Sequence, residues 1–410
     1  MSSKTRRGRA GRSNTPAQVS PTPTQTSAVD AQARASQQAG KASPQSKSSR
    51  QPLIVWIAAA AGVLVLAVLV AWLLGIFQPK AGPAAPSPDG RISFVRKTAE
   101  GKADLFVINP DGTNEQQATR DIVIEGTNTW SHDGRQILVQ ASVGGTSTVV
   151  RLDVGPDNKA SNAVQLTADI KADSAFPTWS PDGTMIAFQS KRDGGDYQIF
   201  VMNADGSSKR RLSDGKGHAG QPSWSSDSKN IVFRQGAKPD AGQPKELYVV
   251  PAAGGTPKQI TSLKKDLSSP QWSPDGKSIA YMENVGDRQS VIHIMNADGT
   301  GDRVLVTENA NRQPEFSPCG DKLAYYSIGT GSDVYTIPIA GGATSNLTHL
   351  SAEDYEETWA PNCTRLAWAS RRDNGYKIVV GGVDGSSQNQ KVITKGSSDD
   401  YQPSWGVAVK

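Results

Sequence analysis

Histidine and cysteine are scarce, with four histidines and two cysteines in 410 residues. His132, His218, His293 and His349 stand at unrelated spacings, so no metal-ligand motif emerges. No Gly-x-Ser-x-Gly elbow and no Gly-x-x-x-x-Gly-Lys-Ser/Thr phosphate loop occurs, which removes the common signatures of acyl and phosphoryl transfer. Neither a metal nor an organic cofactor is expected, and the chain reads as non-enzymatic. Acids are almost missing from residues 1–51, where nine basic residues face the single Asp30. Charge is missing altogether between Leu53 and Phe77.

These last two gaps divide the chain. Residues 1–51 are rich in Ser, Gln, Pro, Ala and Thr and too poor in apolar side chains to offset the entropy of ordering them, so a disordered basic tail is expected. The uncharged run falls within residues 52–77 and is long enough, at about 1.5 Å per residue, to cross the hydrocarbon of a bilayer as a helix. Trp56 and Trp72 lie toward its ends, where indole rings favour the interface. It is longer than the apolar region of a cleavable signal peptide and is preceded by fifty residues. Lys41, Lys47 and Arg50 outnumber Lys80 and Arg91 across the run, which places the N-terminus in the cytoplasm and the rest outside it. The basic tail then faces anionic lipid, and nucleic acid is not an expected partner. Residues 78–86, QPKAGPAAP, read as a short linker.

From Ser87 to the end the sequence repeats. Related tetrapeptides begin at Ser87 (SPDG), Ser131 (SHDG), Ser180 (SPDG), Ser225 (SSDS), Ser273 (SPDG), Ser317 (SPCG) and Ala360 (APNC), at intervals of 43 to 49 residues. That is the period of a four-stranded propeller blade. The third repeat shows the parsing best: Pro177-Thr178-Trp179 ends a first strand, SPDG turns, MIAF and YQIFVM form second and third strands around KRDGGD, NADG turns, and RRLS returns. Trp130, Trp179, Trp224, Trp272, Phe316 and Trp359 precede six of the tetrapeptides. The first lacks such a strand, and Gln402-Pro403-Ser404-Trp405-Gly406 at the other end supplies one. Residues 87–410 therefore read as an all-β, seven-bladed β-propeller closed by its C-terminal strand.

The run Pro-x-Trp-Ser-Pro-Asp-Gly, then Ile-Ala-Phe, Ser-x-Arg-Asp-Gly, a hydrophobic residue with Met-Asn-Ala-Asp-Gly, and Arg-Arg-Leu resembles the TolB-type propeller repeat, a WD40-like PD repeat. The resemblance covers nearly everything after the apolar run. It implies a bacterial envelope protein whose propeller lies outside the cytoplasm and binds other proteins without cofactor or chemistry.

The repeated acids invite a calcium or carboxylate-catalysis reading. Asp89, Asp133, Asp182 and Asp275, and Asp111, Asp205, Asp298 and Asp384, each precede Gly in a tight turn, however, and local hydrogen bonding explains them. The recurring Trp residues read as packing between blades. Arg192 and Asp193 read as a local ion pair. Binding is expected instead in the non-repeating segments that lead into each first strand, at the mouth of the central channel. Two of these match each other, as Glu353-Asp354-Tyr355-Glu356 and Asp399-Asp400-Tyr401-Gln402. They form a candidate site for a basic or amine-bearing peptide, or a cation. Cys319 and Cys363 occupy equivalent turns of neighbouring blades, which suggests a disulfide that such turns are usually too far apart to make. The function expected is a membrane-anchored binding propeller for a protein, peptide or envelope ligand. The alternative is a hydrolase or lyase using channel residues.

Overall fold

The computed structural model describes residues 87–409, apart from 99–100, 121, 238–241, 287–288, 308–309, 330, 350–351, 373–374, 385 and 387–388. The chain divides into units 1–78 and 79–410, and every described residue belongs to the second. The expected tail (1–51), spanning helix (52–77) and linker (78–86) lie outside the described residues. Among the described residues, no helix is long and apolar enough to cross a membrane.

Antiparallel β-structure accounts for the repeats. In the repeat that contains SPDG at Ser180, strands Ser174–Trp179, Met185–Ser190, Gln198–Asn203 and Arg210–Arg211 pair in sequence order. The middle two are buried along nearly their whole length, because they are sandwiched between neighbouring units, and they are correspondingly rich in Ile, Val, Phe and Met. The outermost strand is two residues long and polar, a short edge that offers little to a passing chain. The turn between the first two strands owes its shape to its sequence. Ser180 Oγ donates to Asp182 Oδ1 at 2.6 Å, the same oxygen accepts the Thr184 N–H, and Ser180 Oγ accepts the Met185 N–H. Ser131, Ser225 and Ser273 repeat the bond to their own Asp. In the second turn, Asp111, Asp205, Asp298 and Asp384 each accept the N–H two residues on. All of these acids are thus occupied within their turns.

The hydrogen-bonded sheets among the described residues number five, where the repeats suggest seven separate ones. Four have four strands and one has twelve. The long sheet consists of three four-stranded antiparallel units, spanning 218–259, 266–306 and 310–346, joined by single parallel pairs, Lys245 with Asp266 and Ser290 with Ala310. Lys245 Nζ and Asp266 Oδ1, both buried, add an ion pair of 2.8 Å at the first junction.

Hydrophobic clusters lie between consecutive units rather than within them. Ile137, Val139 and Val150 pack on Leu105 and Val107 of the unit before, and Trp359, Leu366 and Trp368 on Ala324 and Val334. The buried Trp side chains also bond across: Trp130, Trp224 and Trp359 donate their indole N–H groups to the carbonyls of Ser404, Thr178 and Glu315 at 3.0 to 3.2 Å.

The same contacts close the ring. Strand Asp399–Gly406 pairs antiparallel with Arg91–Lys97 near the start of the described chain. Trp405 donates to the Asp89 carbonyl at 2.8 Å, and Asp89 pairs with Arg365 of the last repeat at 2.9 Å. Ile92, Phe94 and Trp405 share a core with Ala367, Ile378 and Val380. Gly406 lies flat on Trp130, where a Cβ would come within 2.5 Å of the indole, so no larger residue fits without displacing that ring. Cys319 and Cys363 are bonded, with Cα atoms 6.1 Å apart, inside the range a disulfide spans. The turns of these two repeats approach more closely than equivalent turns were expected to. Asp193 pairs with Arg211 at 2.9 Å, not with Arg192, whose guanidinium lies over Phe200.

Candidate functional site

The first strand of each repeat, Val123–Trp130, Ser174–Trp179, His218–Trp224, Asp266–Trp272, Ala310–Phe316, Asp354–Trp359 and Asp399–Gly406, contributes to one central cavity of about 380 Å³. Each strand has a register shift at its channel-lining residues. At six of the shifts a non-glycine residue takes positive φ: Phe176, Gln221, Ser269, Gln313, Glu356 and Gln402, at 47° to 56°. Such conformations persist only where surroundings hold them. Here the hold comes from neighbours around the ring. Gln221 accepts the Ser269 N–H at 2.7 Å, and Glu356 accepts the Gln402 N–H at 2.8 Å. Glu356 is therefore a link between repeats, occupied in the same way as Gln221.

After the bulge comes proline in five strands, Pro177, Pro222, Pro270, Pro314 and Pro403. Proline suits an edge strand, because the N–H it lacks would face the channel and take no part in the ladder of hydrogen bonds. The two exceptions are Asn128 and Glu357. Asn128 is satisfied internally, donating to the Gln402 carbonyl at 2.8 Å and accepting from Ser93 Oγ at 2.5 Å. Glu357 is 7% exposed, and neither of its carboxylate oxygens has a hydrogen-bond partner on another described residue. Beside it on the next strand is Glu315. Burial pushes the Glu315 carboxyl up to about 8, partly offset by bonds from the Trp359 N–H and the Thr358 hydroxyl. Glu357 is also raised well above the carboxylate range, by burial and by the charges of Glu315 and Glu356. Among the described residues, these two glutamates are the only titratable side chains lining the cavity. Among the described residues, no group of three or more His, Cys, Asp or Glu is placed to hold a metal ion.

At the starts of two channel strands, the two acidic-Tyr segments come together in a way their sequences do not suggest. Asp354 and Asp400 have no exposed surface. Asp354 accepts the Trp368 indole N–H at 3.2 Å, and Asp400 pairs with Arg96 at 2.6 Å, which in turn pairs with Glu115. Neither carboxylate can meet a ligand, which corrects the expectation that they form part of a binding rim. Glu353 accepts from the Tyr376 hydroxyl at 2.5 Å and from Arg371 at 3.0 Å, and Asp399 accepts the Tyr376 N–H at 3.0 Å. Both are half-buried.

Tyrosines gather beside these segments, none of them among the residues that line the cavity. Tyr326, Tyr355, Tyr376 and Tyr401 form a row with successive ring centroids 5.7, 5.9 and 5.0 Å apart. All four are half-buried, and Lys97 Nζ lies 5.2 Å from the centroid of the Tyr401 ring. Tyr355 and Tyr401 were legible from the matched segments. Tyr326 and Tyr376 belong to other strands and carried no local signal. Glu315 and Glu357 were also missed, although Glu357 stands where the repeat places proline.

Comparison with known proteins gives the fold a family. The model of the TolB beta propeller domain matches residues 157–332 and 236–409, together more than half of the chain. The Tol-Pal system protein TolB of Anaeromyxobacter dehalogenans is 32% identical over 135 residues, which cover 33% of this chain and 29% of that protein. The chain spans less than a third of the length of the curated relatives it matches. Among solved structures, TolB from Acinetobacter baumannii superposes with a TM-score of 0.50 at 16% identity, covering 80% of this chain and 89% of that one. Puromycin hydrolase superposes with a TM-score of 0.61 at 14% identity, covering 77% of this chain and 54% of its own. At these identities both structures speak to fold alone. The family match, with the propeller architecture described above, establishes that the chain belongs to the TolB beta propeller family.

Proposed function

We propose that this protein is a membrane-anchored binding propeller, without enzymatic activity, that takes a protein or peptide partner at the mouth of its central channel. In this reading, the three units of the twelve-stranded sheet count as separate blades. The propeller of residues 87–410 then has seven, since among the described residues single parallel pairs are the only strand pairing between those units. Residues 52–77 span the membrane, the basic tail of residues 1–51 lies on the cytoplasmic side near anionic lipid, and the propeller lies outside. The uncharged run and the charge difference across it support this placement. A disulfide in the propeller agrees with an oxidising compartment.

The observation that carries the binding role is the tyrosine row. Four amphipathic rings held together by mutual packing present contact area at little entropic cost, which is the composition favoured in protein recognition. A photo-crosslinking residue at position 376 tests it, with one at Asp182 on the turn face as the control. Discrete partner adducts from 376 and none from 182 are expected in intact cells. Adducts from both positions alike, or from neither, would refute the assignment. Protease protection of the C-terminus in the same cells tests the topology.

A second reading draws on Glu315 and Glu357. A carboxyl held protonated near neutral pH beside another is equipped for general acid catalysis, as in a hydrolase or lyase. Turnover of an envelope polymer that is abolished by Glu315→Gln would favour it.

A further inference from the structure

Arg234 departs from the repeat and is left with a charge that lacks a counter-ion. It stands three residues after Ile231, which pairs with Trp224, and Gln140, Gln189, Met282 and Tyr326 stand at the same place in their units. In three of those units the position serves the fold. Gln140, Gln189 and Met282 accept the N–H groups of Phe176, Gln221 and Gln313 in the unit that follows, at 3.4, 3.0 and 3.3 Å. Arginine has no acceptor to offer. The Ser269 N–H goes to Gln221 instead, at 2.7 Å. Among the described residues, the Arg234 guanidinium makes no hydrogen bond or ion pair, and of its nitrogens only Nε is sealed from solvent. The acid whose charge reaches it is Asp266. Both oxygens of that acid are already taken, Oδ1 by Lys245 and Oδ2 by the Gly242 N–H, each at 2.8 Å. Burial accordingly holds the half-buried guanidinium below its ordinary range, with Asp266 offsetting only part of the effect.

We infer that Arg234 anchors a carboxylate of the partner peptide, either its C-terminal group or an Asp or Glu side chain. The inference rests on the reading of the tyrosine row as a peptide-binding surface and adds the group that fixes the peptide's register on it. The two Nη groups of a guanidinium offer parallel donors to both oxygens of a planar carboxylate, a match that an ammonium does not make. Position supports the pairing as well. Tyr326, which begins the tyrosine row, holds the place of Arg234 two units further round, so one peptide can meet both. Energetics points the same way, because the guanidinium is already half-buried in the free protein. Less of the cost of taking two charges out of water is then left for the binding step.

The experiment is thermal unfolding of the full-length chain in detergent, followed by tryptophan fluorescence at constant ionic strength. The probes, at about 100 mM, are acetylglycine, acetyl-aspartyl amide and, as the comparison without a carboxylate, acetyl-asparaginyl amide. At least one of the two acids is expected to raise the midpoint by about 2 °C, with the asparaginyl amide leaving it unmoved. The acid that acts identifies the source, since acetylglycine stands for a chain end and the aspartyl amide for a side chain. Arg234→Gln is expected to lose the shift. Without ligand it should unfold at or above the native midpoint, because it removes a half-buried charge that lacks a counter-ion, whereas loss of a structural arginine would lower it. Arg234→Lys keeps the charge without the fork and should retain only part of the shift.

Residues 238–241 lie outside the described residues and include Asp240, so Asp240→Asn is measured beside the native chain and is expected to match it. A shift seen only in Asp240→Asn would mean that the chain supplies its own carboxylate, and would overturn the inference. An equal shift with the asparaginyl amide, a shift that persists in Arg234→Gln, or no shift with either acid would overturn it too. Failure here is separable from failure of the binding role. Partner adducts at position 376 that persist undiminished in Arg234→Gln mean that the tyrosine face binds without this anchor, which sinks the anchor alone. Carboxylate shifts in a protein that gives no adducts leave the anchor standing and remove the proposed partner face.

Discussion

Replacing Glu315 by Gln should stabilise the folded protein, and by an amount that depends on pH in a defined way. In the unfolded chain this carboxyl titrates at its ordinary value, whereas in the folded channel burial raises it to about 8. Between those two values the unfolded state has lost the proton and the folded state keeps it. Stability therefore falls as pH rises through that window, and levels off once the folded carboxyl also ionises. Each pH unit is worth about 1.4 kcal/mol, so the full span amounts to about 5 kcal/mol. Glu315 keeps some exposure to the channel, and about 3 kcal/mol is the expectation after allowing for that screening. Glutamine preserves the shape and can still accept from the Thr358 hydroxyl, so little else changes.

The assay is urea unfolding of both proteins at pH 5, 6, 7 and 8. The two curves should nearly coincide at pH 5 and separate progressively, with Glu315→Gln more stable by about 3 kcal/mol at pH 8, a midpoint difference of about 1 M urea. Glu357 titrates in both proteins, but without the neighbouring charge its own penalty is smaller, so the variant should also show the flatter pH dependence. Parallel pH profiles for the two proteins would refute the claim that Glu315 is held neutral in the channel.

Other perturbations address the frame. The disulfide joins residues 44 positions apart, and Cys319→Ser with Cys363→Ser should cost up to about 4 kcal/mol in the chain-entropy account; reductant should lower the unfolding midpoint of the native protein and leave the double variant unmoved. Arg96→Met leaves Asp400 buried without its partner at the closing strand pair, a loss of about 3 to 5 kcal/mol at neutral pH, read by denaturant unfolding. That loss should shrink in acid, because burial already raises the Asp400 carboxyl and protonation relieves the unpaired charge. Trp359→Phe removes the indole bond to the Glu315 carbonyl but keeps an aromatic ring, as Phe316 does naturally one repeat earlier, so thermal unfolding should report a loss of only about 1 kcal/mol.

The propeller was legible because each of its local causes recurs. Ser and Asp in the first turn, Asp-Gly in the second and an aromatic before the turn each answer a hydrogen-bonding or packing need inside one repeat or against the next, so the same residues return at the same spacing. Ring closure was legible for a related reason: a first strand was missing at one end and present at the other. The merging of three units into one sheet was not. It depends on two single residue pairs whose strands come within bonding distance only after the units have packed. The acidic-Tyr segments differ from expectation because they do not merely lead into the first strands. Each opens a strand, at Asp354 and at Asp399, and side chains along a strand alternate in direction. Asp354 and Asp400 therefore point away from Tyr355 and Tyr401, into the side of the strand where Trp368 and Arg96 wait.

A repeat protein also hides its site in a particular way. Residues that recur attract attention, and here nearly all of them are turns and packing. Function has to be sought where a repeated structural requirement is refused. Proline at the channel edge costs no ladder hydrogen bond, and five repeats carry it. Asn128 refuses proline but spends its amide on Gln402 and Ser93, so its departure is explained within the fold. Glu357 refuses proline and leaves both oxygens buried and unpaired, beside a second acid that raises its cost further. At the one place every repeat reaches, Glu357 is thus the departure that the fold itself does not explain. The same comparison separates Glu357 from Asp354 and Asp400: each is a buried acid, but Asp354 accepts from Trp368 and Asp400 pairs with Arg96, whereas neither Glu357 oxygen has a partner on another residue.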